Sequence, residues 1–183
     1  MKKLLLAAGI VMTQLCAFAQ NEPFGFSLSS ESFSQLKTEI LPTFDHTLLL
    51  EEDSRQEMKG GRSNYGRIIK SPVNAENAGI WRTLRNGDRI WQYRFKTSGA
   101  KGVNVYFDNL YLPVGSAIVM YPADRSYYLG PFGNHDCSPT GHFMMGEILS
   151  DEAIIEYFEP ASVVGKANIG ISGFAHLYRY VYD

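Results

Sequence analysis

Hydrophobic and polar positions alternate with a period of two through the middle of the chain. The clearest run is Ile90 to Thr97, where Trp91, Tyr93 and Phe95 fall on one face and Gln92, Arg94 and Lys96 on the other. That period belongs to a half-buried strand, so the first set is expected inside and the second in solvent. Ile80 to Leu84 forms the strand before it, joined through Asn86-Gly87. Both residues of that pair tolerate the positive φ of a tight hairpin turn. Ser98-Gly99-Ala100 breaks the alternation, and Val103, Val105 and Phe107 form the next inward face. Pro113-Val114-Gly115 is a turn, and Ala117 to Tyr121 is apolar on both faces, as an interior strand is.

The same reading extends to both ends. Arg67 to Lys70 is a short strand broken by Pro72 and Asn74. Tyr127 to Leu129, His142 to Leu149, Ala153 to Phe158, Ala167 to Ile171 and Phe174 to Tyr182 follow, with Phe174, His176, Tyr178, Tyr180 and Tyr182 sharing one face. Turn signals every 8 to 12 residues or so, with no helical periodicity after residue 45 and no βαβ pattern, predict an all-β fold. The expected architecture is an antiparallel β-sandwich, jelly-roll-like, over residues 71–183. Residues 20–70 form an N-terminal arm with one short helix, from Ser30 to about Ile40 and ended by Pro42. The charged, glycine-bearing stretch Glu51 to Tyr65 has little to bury, so the arm is expected to be partly mobile.

The beginning of the chain adds a destination. Met1-Lys2-Lys3 precedes an apolar run from Leu4 to Phe18, and Ala17-Phe18-Ala19 offers small residues where a signal peptidase reads. Residues 1–19 are therefore expected to be a signal peptide cleaved after Ala19, with the mature protein secreted or periplasmic. The run is shorter than the roughly 20 residues of a permanent membrane anchor. Lipidation at Cys16 would need a small residue before it, and Leu15 is large. Losing Lys2 and Lys3 moves the net charge from −2 to −4. That mild acidity argues against nucleic-acid and anionic-membrane partners. Cys137 is then the single cysteine, with no partner for an internal disulfide.

Candidate chemistry is sparse. His135, Asp136, Cys137 and His142 are all zinc-ligand types, but their spacing matches no familiar ligand pattern. The alternative is a polar loop with a stray cysteine. Glu147, Glu152, Glu156 and Glu159 could supply an acid pair for glycoside hydrolysis, yet Glu156 alternates with Ile155 and Tyr157 and reads as a solvated strand position. No serine lies in a G-x-S-x-G elbow, and His176 reads as a structural side chain. Trp81, Trp91 and the tyrosines are either core or a platform for sugar stacking. The reading assigns no catalytic, metal or cofactor-binding residue, and expects a non-catalytic protein.

Several segments stand in a familiar order. They are LPTFDHTLLLEED (41–53), AGIWRTLRNGDRIWQYRF (78–95), GVNVYFDNLYLPVGSAIVMY (102–121), LGPF (129–132), AIIEYFEP (153–160) and AHLYRY (175–180). The strongest parts are G-x-W-x-x-L-x-N-G-D-x-x-W, F-D-x-x-x-L-P-x-G and E-Y-x-E-P. From about residue 41 onward the chain resembles the N-terminal pro-domains of secreted bacterial serine endopeptidases of the lysyl-endopeptidase type. It departs from them at Asn134-His135-Asp136-Cys137, where the family tends to have a threonine- and asparagine-containing loop. It departs again at Leu177, which replaces a glycine. The resemblance implies a folding assistant, and an inhibitor, of a trypsin-like peptidase domain made in the same precursor. That domain, and the maturation cut before it, would lie beyond Asp183. The alternative is a free-standing secreted or surface module that binds carbohydrate or protein.

Overall fold

The structure, a computed structural model, describes residues 22–62 and 64–180. The expected signal peptide and its cleavage site lie outside the described residues. Three helical segments come first: α1 (Phe24–Ser27), α2 (Ser30–Ser34) and, after strand β1 (Thr38–Ile40), the longer α3 (His46–Glu57). Nine further strands follow: β2 (Gly66–Asn74), β3 (Ile80–Thr83), β4 (Arg89–Lys96), β5 (Gly102–Phe107), β6 (Ala117–Pro122), β7 (Leu129–Phe132), β8 (Phe143–Met144), β9 (Glu152–Glu159) and β10 (Gly170–Leu177).

The strands form two sheets. One has the order β1-β4-β9-β6-β7, with β3 paired to β4, and the other the order β2-β10-β5-β8. Every pairing is antiparallel except that of β1 with β4. One hydrophobic cluster joins the sheets: Trp91, Tyr93 and Phe95 of β4 and Tyr157 of β9 meet Val105 of β5 and Phe174 of β10. The rings of Phe95 and Phe174 are 4.6 Å apart. Gly79 is needed beside this core. Its φ is +78°, and a Cβ there would lie 2.5 Å from Trp91 Nε1.

The inward face of β4 is as its alternation predicts, but its other face is not solvated. Gln92 is fully buried, and Arg94 and Lys96 are half-buried. The reason is the arm. Phe33 and Leu36, with Phe26 and Leu28 beside them, pack on Val119, Tyr121 and Ile154, on the outer side of the six-stranded sheet. A second cluster thus lies behind the first.

The arm differs from its expected form in three ways. The helix starting at Ser30 ends at Ser34, and Thr38–Ile40 instead pairs with Arg94–Lys96. The stretch Glu51 to Tyr65 holds most of α3. Asp45 caps that helix by accepting from the N–H groups of Thr47 and Leu48. Its buried positions are Leu49 and Asp53, one turn apart. Half of its inward face is therefore a carboxylate, and no apolar stripe marks it. Third, the expected boundary near residue 70 falls inside β2. Pro72 does not break that strand, because β2 is an edge strand and Pro72 sits where its register with β10 shifts.

The later strands are shorter than expected or fused. His142 to Leu149 reduces to β8 and a single bridge from Ile148 to Val103. Of the two closing strands, Gly170 to Leu177 forms one, and Tyr178 onward lies beyond it.

Emptying the Trp91 site by Trp91→Ala should cost about 3–5 kcal/mol in a denaturant melt. Ile68→Ala, at a side chain 55% exposed, should stay within about 0.5 kcal/mol of the parent. Equal effects would show that the core is not where β4 and β5 place it.

Candidate functional site

The outer face of the six-stranded sheet carries a buried carboxylate. Glu156 points outward from β9 and is only 3% exposed. Its Oε2 accepts from the Gly25 N–H at 2.8 Å, from Gln92 Nε2 at 2.8 Å and from the Tyr121 hydroxyl at 2.9 Å. Its Oε1 accepts from the Phe24 N–H at 2.6 Å. Four donors converge on one carboxyl, the role an ionised carboxylate fills. Burial pushes its pKa up, and the donors from Gly25, Tyr121, Gln92 and Phe24 pull against that. The Tyr121 hydroxyl is pushed up in turn, first by burial and then by the carboxylate beside it. Gly25 permits the approach, since a Cβ there would lie 2.0 Å from the Tyr121 oxygen.

A second clamp holds the same segment. Arg125, with φ +60°, sends its guanidinium to the carbonyls of Gly25 and Leu28, each at 3.1 Å. The guanidinium lies over the Phe33 ring, 4.7 Å from its centroid. Beside these clamps the sheet is open. A groove of about 410 Å³ runs between Phe24, the loop at Val114 and Pro131 of β7, with Ile90, Val119 and Phe158 on its floor. Its lining is mostly apolar, and its size is that of a small-molecule or side-chain site.

The residues that sequence chemistry singles out are dispersed. His135 is exposed and lies 3.4 Å from Asp136, whose carboxylate accepts from the Gly133 N–H. Cys137 is half-buried with its thiol toward the Gly133 carbonyl, and burial pushes its pKa up. His142 faces Asp108 at 2.8 Å. Among the described residues no three His, Cys, Asp or Glu side chains gather as a metal site.

The carboxylates likewise have separate duties. Glu152 pairs with Arg94 and Lys96 on the outer face. Glu159 is buried on the opposite face of β9, paired with Arg89 and accepting from Tyr157 and Gly165. Glu147 is half-buried. Glu156, read from its alternation as solvated, is the most enclosed of the outward-facing ones, because the arm covers it. Trp91 is core, its indole N–H donating to the Ala78 carbonyl. Trp81 is half-buried, donates to Ala75, and has the Arg89 guanidinium 4.3 Å over its ring. The two tryptophans form no joint platform. His176, read as structural, is fully buried and bonded on both ring nitrogens.

The clamp at Glu156 has one visible trace in the sequence: Gln92 and Glu156 each stand between apolar neighbours, Trp91 and Tyr93 on one strand and Ile155 and Tyr157 on the other. Their partners in the arm are backbone N–H groups, which no side-chain pattern announces. A scan against protein-family models finds no family that matches the chain.

Glu156→Ala would leave the Gln92 amide, the Tyr121 hydroxyl and two backbone N–H groups without their acceptor. Each buried orphan costs about 1–3 kcal/mol. The expected result is a lower unfolding midpoint and new chymotrypsin cuts at Phe24, Phe26 or Phe33. An unchanged melt with no new cuts would show that the carboxylate does not hold the arm.

Proposed function

We propose that this chain is an exported, non-catalytic β-sandwich of jelly-roll-like topology that assists the folding of a lysyl-endopeptidase-type serine peptidase domain and restrains it. One observation supports this reading above the others: the motif residues that carry the resemblance are spent on building the fold. In the stretch from Gly79 to Trp91, Gly79 makes room for the indole and Asn86 bonds Asp88 across the turn. Asp88 also accepts from the Ala161 N–H, which ties that hairpin to the end of β9. In the stretch from Phe107 to Gly115, Phe107 and Leu112 are buried. In Glu156-Tyr157-Phe158-Glu159-Pro160, Glu156 clamps the arm and Glu159 holds Arg89. A motif set of this kind specifies a scaffold, and a scaffold made ahead of its partner acts at high effective concentration through the linker.

A second reading has its own support. The apolar groove beside Phe24 suits a free-standing module that takes up protein side chains. Its few polar groups suit carbohydrate less well, since sugar sites need several placed donors and acceptors.

The test is to express the longer precursor with and without residues 20–183. The expected result is that the peptidase folds more slowly or in lower yield without them, and that the separate domain, added back, slows its activity. The chain alone should give no peptidase, esterase or glycosidase turnover. Equal folding rates and yields, with no inhibition, would sink the pro-domain reading and leave the binding module.

A further inference from the structure

The start of α3 meets β10 through two imidazoles. His46 Nε2 lies 2.8 Å from His176 Nε2. On its other side His176 Nδ1 lies 2.7 Å from Thr97 Oγ1. The Thr97 hydroxyl donates to the Pro42 carbonyl, also at 2.7 Å. A hydroxyl has one proton to give. Thr97 therefore accepts from His176, whose own proton is on Nδ1. A neutral imidazole has one donor and one acceptor nitrogen, so His176 Nε2 accepts and His46 Nε2 donates. The chain of bonds runs one way, from His46 through His176 and Thr97 to Pro42. His176 is fully buried, with the Phe44 ring edge-on at 5.2 Å, while His46 is half-buried.

We propose that this pair is a pH-gated latch, holding residues 42–49 against β10 and the end of β4 and opening when His176 takes up a second proton. His46 keeps the Nε2–H that it donates, so the response to acid lies on the His176 side of the contact. A proton on His176 must enter at Nε2, so that donor faces donor. The buried ring then holds a charge without an acceptor.

The neighbours offer it little relief. Asp151, which accepts the Thr97 N–H on its carbonyl, is the acid that favours a charged ring, and its carboxylate is shared with Lys96 at 3.7 Å. From β2, Arg67 stands opposite His176 and is paired with Glu52 of α3. From β5, the residue opposite is Val103. Asp53 of α3 is taken up by Tyr178, Asn64 and Arg179. Burial first, and His46 second, hold His176 below its ordinary pKa.

The sign follows. The closed state prefers neutral His176, and the open state gains protons first as pH falls. Closure is complete above about pH 6.5, the ordinary histidine value, and is lost below it, about tenfold per pH unit until the ring charges in place. The carboxyl of Asp53 behaves otherwise. Burial opposes its charge, but the hydrogen bonds from Tyr178 and Asn64 and the Arg179 charge outweigh that and keep it below the usual range. Its contacts survive this window and fail only below about pH 4. The opening is therefore confined to the front of the helix.

Amide exchange read by NMR between pH 7.5 and 5.0 tests the latch. The reporter is the Leu49 N–H, bonded to the Asp45 carbonyl. Its protection factor should fall about fivefold between pH 6.5 and 5.5, while the Ile155 amide in β9 holds. His46→Ala should leave Leu49 weakly protected at pH 7.5 with a flat profile. His46→Gln keeps a donor for neutral His176 and, by turning its amide, offers an acceptor to the charged ring, so it should retain the protection at pH 7.5 and lose most of the slope. Four results would overturn the proposal: a flat parental profile, an unchanged slope in His46→Ala, an unprotected Leu49 at pH 7.5 in His46→Gln, or histidine nitrogen shifts that place the neutral His176 proton on Nε2.

Discussion

Buried polar groups decide how this molecule is held together. An isolated carboxylate under a lid is costly, and it stays there only if donors surround it. Glu156 finds them in two strands and in the backbone of α1, so the sheet and the arm need each other. Asp53 repeats the arrangement at the other end of the arm, fully buried against Tyr178, Asn64 and Arg179. Hydrophobic contact alone would let the arm slide over the sheet. The two carboxylates fix where it sits.

The alternation of β4 was legible because the core side of a sheet follows from period alone. Trp91, Tyr93 and Phe95 could go nowhere else. The opposite side was not legible, because whether Gln92 meets water depends on a segment some sixty residues upstream that folds over it. A local pattern holds no information about a remote cover. The arm is illegible in the sequence for a related reason. Its longest helix buries Leu49 and Asp53, and a helix that buries a carboxylate looks polar all round. The candidate site shows the same limit. Glu156 was singled out as a carboxylate, but its meaning came from two backbone N–H groups.

The core and the clamps converge on the same elements. Trp91, Gln92, Tyr157 and Glu156 lie on two neighbouring strands, with Trp91 opposite Tyr157 and Gln92 opposite Glu156 in register. One pair faces the core and the other faces the arm. Each of these strands therefore serves both layers, through alternate side chains. The groove lies on the outer face of these same strands, between the arm and the loops, so its shape depends on whether the arm is seated.

The hydrogen bond from Phe24 to Glu156 spans 132 positions. A ribosome makes the arm well before its acceptor. Until β9 exists, α1 has no carboxylate to bind, and β1 waits for β4 in the same way. The arm thus waits through the synthesis of more than a hundred residues without its docking surface, its apolar residues Phe24, Phe26, Phe33 and Leu36 uncovered. Contacts of such long separation form late and slowly. During that interval these four side chains are open to any other apolar surface nearby, and the closing of the arm marks the moment β9 has joined the sheet.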